Sequence, residues 1–249
     1  MENLKKQFSE KITQSTIDSH PFDHIYIENF FEKNLYDNIL SNIPDINSFK
    51  NITETGNVGK NYSQERYVLS LKKDLHNLPE SQQSFWNNFN NAFSSKEFWE
   101  AISLKFKETL KKRFSSLTKK ELETLGKSPK ISCGTLLVKD FTKYRLGAHT
   151  DAIEKIFSLL FYLPKNNDLK KIGTSLYKPF NQIEEERIDI HFDKYETEKR
   201  FEKIKTCEYK RNSVFIVART NYSYHGVEEV NIDKLERDLL LVNFYGNKS

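Results

Sequence analysis

Six histidines occur in this chain, and two of them stand where they could share a metal with a carboxylate. The first lies in Tyr144-Arg145-Leu146-Gly147-Ala148-His149-Thr150-Asp151, and the second is His225 in Asn221-Tyr222-Ser223-Tyr224-His225-Gly226. Two imidazoles and one carboxylate on one face of an octahedral ion leave the opposite face open, which suits a non-haem ferrous centre. Arg237 follows His225 by a dozen residues, and a guanidinium grips a carboxylate through two parallel hydrogen bonds. His149, Asp151 and His225 are therefore the candidate metal ligands, and Arg237 the candidate anchor for an acidic co-substrate.

His-x-Asp alone is a weak signal, and the chain holds a second copy, His191-Phe192-Asp193. The first copy lies directly before the apolar run Ile156 to Leu163, so its ligands sit at the end of a strand, the kind of rigid support that metal geometry requires. The second lies in a charged stretch and leaves little chain before His225 for further strands. It is read as solvated surface. His225 taken alone is a turn residue before a glycine; the upstream His-x-Asp and the downstream arginine favour the ligand reading. Arg237 has two readings. Sharing strand parity with Leu239 and Leu241, it points into a barrel, where an unpaired guanidinium is costly and a ligand carboxylate would relieve that cost. Alternatively it is a rim arginine paired with Glu236 or Asp238.

The elements that must position these residues change character at residue 131. Before it the chain reads mostly helical: a short strand after Pro21, a helix from Phe30 to Ile43, a loop from Asn51 to Asn61, a strand from Tyr67 to Leu71 and two helices within Gln82 to Leu117. Trp86, Phe89, Phe93, Phe98, Trp99, Ile102 and Phe106 are core-facing candidates. After it come short β-rich runs, Ile131 to Val138, Ile156 to Leu163, Thr174 to Tyr177, Val214 to Val217 and Leu239 to Phe244, separated by turn signals. Glu184 to Lys205 reads as a charged insertion. A β-sandwich or barrel backed by N-terminal helices accounts for this order, as one domain over 1–249.

Composition narrows the class. The hydrophobic share is 37%, but 19 Phe and 12 Tyr bury large areas each. A formal charge of +4 is a weak excess, and no nucleic-acid partner is expected. The Lys105 to Lys130 segment, with acidic residues interleaved, reads as a solvated helix face rather than a docking face for an anionic partner. Two cysteines without close spacing argue against a disulfide scaffold, and neither a signal peptide nor a membrane span is evident, so a soluble, cytoplasmic protein is expected. Oligomeric state stays open.

With these residues in place, the span from about 131 to 246 resembles the 2-oxoglutarate- and iron(II)-dependent oxygenase superfamily, and the opening from Pro21 to Phe31 resembles its prolyl-hydroxylase-like branch. The resemblance implies a double-stranded β-helix (jelly-roll, cupin-like) core with N-terminal helices packed on it. It also implies Fe(II) held by His149, Asp151 and His225, with 2-oxoglutarate and O2 as co-substrates. Phe161-Tyr162-Leu163 matches the branch's strand ending, which implies that Tyr162 bonds the far carboxylate of 2-oxoglutarate beside Arg237. Tyr144 is a further candidate for that pocket, with core packing as its other reading. Departures from the family refine the picture. Arg237 is followed by Asp238-Leu239, so the serine of plant-type members is missing. The second arginine of nucleic-acid demethylases is missing too. Asp151 is retained where halogenases carry a small residue, which favours hydroxylation. The substrate, a small molecule or a protein side chain, is unread; Arg145, Lys155 and Tyr177 flank the expected mouth, with surface solvation the expectation for each. A metal-binding barrel without turnover and a zinc hydrolase using the same ligands are the alternatives.

Overall fold

Strands that alternate apolar and polar residues must bury their apolar face against a second layer. The computed structural model describes residues 2–56, 58, 62–184 and 191–248, and from residue 130 onward such strands dominate. They are β4 (Lys130–Phe141), β5 (Leu146–His149), β6 (Lys155–Tyr162), β7 (Thr174–Pro179), β8 (Phe201–Cys207), β9 (Ser213–Ala218), β10 (His225–Val227) and β11 (Glu236–Asn247), preceded by β1 (His24–Glu28), β2 (Lys50–Asn51) and β3 (Arg66–Ser70). The larger sheet runs β1-β9-β6-β11-β4-β3-β2 and the smaller β5-β10-β7-β8, and each of these pairings is antiparallel. From β4 onward the chain passes back and forth between the two sheets. The core is a double-stranded β-helix, with β1 added at one edge of the larger sheet and β3 and β2 at the other.

Side-chain parity separates two interiors. On β11, Leu240, Val242 and Phe244 face the helices, whereas Leu239 and Leu241 face the space between the sheets with Tyr162, Leu176, Phe215 and Val227. A one-residue slip would exchange these faces, so the long β11–β4 register, Glu236 opposite Phe141 through Asn247 opposite Lys130, fixes which polar residues reach the interior.

The outer face of the larger sheet is covered by α1 (Glu2–Gln14), α3 (Glu80–Phe93) and α4 (Lys96–Lys105). Aromatic rings make most of that contact: Phe8 stacks on Phe93 at 4.8 Å, and Phe161 of β6 meets Phe30, Phe31 and Phe93 at 5.0, 5.3 and 5.1 Å. The expected helix from Phe30 is α2 (Lys33–Ser41), which is shorter than its apolar pattern because Phe30 and Phe31 enter the core from the non-helical chain before it. Residues 82–117 hold parts of three helices rather than two, since α5 (Lys107–Ser115) begins after a break at Phe106 (φ −96°, ψ 23°), whose ring is fully buried. α6 (Lys119–Leu125) follows, started by a reciprocal capping box between Thr118 and Glu121.

The expected insertion at 184–205 needs correcting. Residues 185–190 lie outside the described ones, but α7 (Lys194–Arg200) and most of β8 fall within the segment, and β8 is a core strand. It was hidden because it is the edge of the smaller sheet, with only Phe201 and Cys207 buried and charged residues between them.

Candidate metal centre

β5 and β10 are neighbours in the smaller sheet, and His225 pairs directly opposite His149. Their rings lie 4.5 Å apart, and Asp151, two residues past the end of β5, turns back toward both. The ligand atoms of His149, Asp151 and His225 all lie within 4.8 Å of one another, close enough to share one metal ion. Each imidazole is oriented by its own backbone: His149 Nδ1 donates to the Gly147 carbonyl (3.0 Å) and His225 Nδ1 to the Ser223 carbonyl (2.9 Å). That fixes the tautomer and leaves Nε2 as the lone-pair nitrogen, the usual arrangement around a metal-binding histidine. Burial, then the neighbouring His225, pushes the His149 pKa down to about 3, so this ring is neutral.

Asp151 is held at both oxygens. Lys155 Nζ donates to Oδ1 (2.7 Å) and Ser158 Oγ to Oδ2 (2.7 Å), with the Asn243 amide oxygen 2.9 Å from the same hydroxyl. Burial would raise the Asp151 pKa, but Lys155 and the two imidazoles outweigh it and the net shift is downward. The carboxylate is therefore ionised. Lys155, expected to be solvated, is instead this carboxylate's partner. Its position four residues after Asp151, at the start of β6, brings the ammonium back over the loop.

Behind the loop stands a buried brace. Arg219, 1% exposed, donates through Nε to the Asp151 carbonyl (3.1 Å) and through Nη1 to Glu121 and Asn221. Arg113 donates to the carbonyls of Lys155 (2.7 Å) and Ile153 (2.6 Å). The segment expected to be a solvated helix face thus sends Arg113 and Glu121 inward. Those inward partners lie 40 to 98 residues away in sequence, beyond any local periodicity.

Arg237 is fully buried, which removes the rim reading; Glu236 and Asp238 pair with Lys139 instead. Its charge is not bare, however. Nη1 donates to Asp140 Oδ2 (2.6 Å) and Nε to the Ile172 carbonyl (2.9 Å), while Nη2 is buried without a hydrogen-bond partner. Asp140 also takes two hydrogen bonds from Arg66, 2.6 and 2.9 Å. Tyr162 and Tyr209 flank the Arg237 guanidinium, with ring centroids 5.6 and 5.2 Å away. The Tyr162 hydroxyl donates to Thr174 Oγ1 (2.6 Å) rather than to a charged group. Tyr144 lies under Arg66 at 4.3 Å, its hydroxyl 3.3 Å from that of Tyr62.

A cavity of about 1050 Å³ reaches β5 and β10 without being lined by His149, Asp151, His225 or Arg237 themselves. Its lining includes Gly147 and Val227, each two residues from a histidine of the site, together with Tyr62, Arg145, Tyr177 and His191. Of the second His-x-Asp, Asp193 caps α7 by accepting from Glu196 N, and His191 packs near the Tyr62 ring. Neither belongs to the three-residue group.

No family model and no curated protein matches this sequence. Solved structures do match. The chain is similar to a prolyl-4-hydroxylase from Pseudomonas putida, at 8% identity over 98% of this chain and 100% of that one, with a TM-score of 0.51. The fold is that of this prolyl-4-hydroxylase. A Trichoplax adhaerens prolyl hydroxylase, solved with a hypoxia inducible factor peptide fragment, aligns over 98% of this chain and 90% of that one (13% identity, TM-score 0.49). HygX from Streptomyces hygroscopicus, solved with nickel, 2-oxoglutarate and hygromycin B, aligns over 89% and 82% (8% identity, TM-score 0.47). At such identities the prolyl-hydroxylase likeness is one of fold.

Asp140, Arg66, Ser158 and Arg219 were not foreseen. A faint signal existed for three of them: Asp140 shares parity with Val138, Arg66 with Val68 and Ser158 with Leu160, polar residues at positions where the strand buries its side chains.

Proposed function

We propose that this chain is an iron(II)- and 2-oxoglutarate-dependent oxygenase that hydroxylates a C–H bond of a small molecule or a protein side chain. The observation that carries the reading is the convergence of His149, Asp151 and His225, backed by a buried arginine with an unanswered N–H. The donor set fits Fe(II): two imidazole nitrogens and one carboxylate, with no protein group as a fourth ligand among the described residues. Arg237 fits 2-oxoglutarate, since Nη2 offers a charged hydrogen bond to its far carboxylate.

When bound, iron would activate dioxygen, the oxidant, with 2-oxoglutarate giving up two electrons as it becomes succinate and carbon dioxide and the C–H bond giving the other two. The chain's own part is to position and exclude. Gly147 and Ser223 carbonyls keep both Nε2 atoms pointed at one place, and Lys155 and Ser158 hold the Asp151 carboxylate in a single orientation. The Tyr162 hydroxyl, spending its proton on Thr174, keeps its lone pairs and is available to an adjacent donor. The apolar interior between the sheets keeps water from the reacting groups.

The test is succinate formation from 2-oxoglutarate by freshly reduced, Fe(II)-loaded protein. Turnover is expected in the wild type and absent from His149→Ala. Metal-loaded protein that binds no 2-oxoglutarate would sink the reading, and activity that survives removal of 2-oxoglutarate would support a hydrolase instead.

A further inference from the structure

The anchoring arginine does not carry a free positive charge. Asp140, fully buried, accepts from Arg237 at 2.6 Å, so these two residues alone form a neutral pair. A neutral buried pair has little to offer an incoming anion, because most of the field of the guanidinium is spent on its partner. The charge is restored from outside the eight core strands. Arg66, on β3, grips the same carboxylate with Nε and Nη2, and Nη1 meets the Tyr62 hydroxyl at 3.2 Å. β3 pairs with β4 so that Arg66 lies directly opposite Asp140, and β4 pairs with β11 so that Arg237 lies opposite Asp140 on the other side. Three adjacent strands therefore place two guanidiniums on one carboxylate, a buried cluster of net charge +1. Such a charge is costly unless an anion joins it.

We infer that Arg66 is a specificity-determining residue of the co-substrate pocket: it supplies the surplus positive charge that selects a keto acid with a second carboxylate. Asp140 is the positioning residue that couples it to Arg237. The inference rests on the oxygenase reading above and concerns only its far-carboxylate end. Arg66 has no direct role at the metal.

Binding rather than turnover tests it. Mn(II)-loaded protein is titrated calorimetrically with 2-oxoglutarate and, separately, with pyruvate, a keto acid lacking the second carboxylate. Arg66→Met leaves the Asp140–Arg237 pair neutral and is expected to weaken 2-oxoglutarate binding by about 10-fold or more, the range for removing a charged partner from a buried site. Pyruvate binding and Mn(II) affinity should not change. The double variant Arg66→Met/Asp140→Asn again has a site charge of +1 and should bind 2-oxoglutarate more tightly than Arg66→Met. Unaltered 2-oxoglutarate affinity in Arg66→Met, or an equal loss for both keto acids, overturns the role of Arg66. If Arg66→Met does not fold, the double variant decides: metal loading without 2-oxoglutarate binding refutes the charge argument. Wild-type protein that takes up Mn(II) but not 2-oxoglutarate refutes the oxygenase reading itself, a different outcome from either.

Discussion

Glu121→Gln isolates one interaction behind the candidate metal centre. Glu121 and Arg219 are 2% and 1% exposed and form a buried ion pair. Glutamine preserves the capping box with Thr118, since its amide oxygen can still accept from the Thr118 backbone, so helix initiation is held constant. What changes is the charge. Breaking a buried ion pair by neutralising one member costs about 3–5 kcal/mol, because the other stays buried after losing that member's opposing charge. For a chain of this size each kcal/mol lowers the melting temperature by about 2–4 °C, so a fall of about 6–20 °C is expected in thermal denaturation. The double variant Glu121→Gln/Arg219→Met, with neither charge, should recover much of that loss.

The same substitution has a pH signature. Burial acts to raise the Glu121 pKa, but the Thr118 backbone hydrogen bond and Arg219 outweigh it, and the net shift is downward. A carboxylate with a lowered folded-state pKa stabilises the fold above its unfolded value, and that contribution disappears as pH falls through the folded value. The gap between wild type and Glu121→Gln should thus be full at neutral pH and close below about pH 4. A Glu121→Gln protein within about 1 kcal/mol of wild type at pH 7, or a gap that widens with acid, would refute the reasoning.

Other predictions follow from the same geometry. Mn(II) or Ni(II) at 100 times its dissociation constant should stabilise the wild type by about 2.7 kcal/mol, a rise in melting temperature that His149→Ala and His225→Ala should each abolish. Persistence of that rise in either variant would place the metal elsewhere. Gly147→Ala should destabilise the fold and loosen residues 191–197, because a Cβ there would lie 1.6 Å from the Phe192 carbonyl oxygen; faster amide exchange in that segment would show it. Phe93→Ala removes a ring packed against Phe8, Phe98 and Phe161 and should cost about 3–5 kcal/mol in urea denaturation without altering metal affinity.

The long strands of the larger sheet were legible as period-two runs because their apolar residues face a thick helical layer. β5, β8 and β10 were not read as strands. They are short or lie at the edge of the smaller sheet, whose outer face rests on a small cluster of Ala148, Tyr177, Phe192, Phe201 and Tyr224. No helix among the described residues is long and apolar enough to cross a membrane. Charged residues were read least well: Arg113, Glu121 and Lys155 carry surface-type chemistry and are committed to interior partners instead.

Sequence by itself singled out His149, Asp151, His225 and Arg237, because those residue types at those intervals are rare and have few uses. Strand parity offered an inward Arg237 beside a rim reading, and its full burial decided between them. The charge that Arg237 presents was decided only by tertiary structure. Asp140 lies 74 residues from Arg66 and 97 from Arg237, and only the register of three neighbouring strands brings the three together. Electrostatic energy depends on distance in space, so a lone arginine in the sequence becomes, in the fold, one of two guanidiniums sharing a single carboxylate.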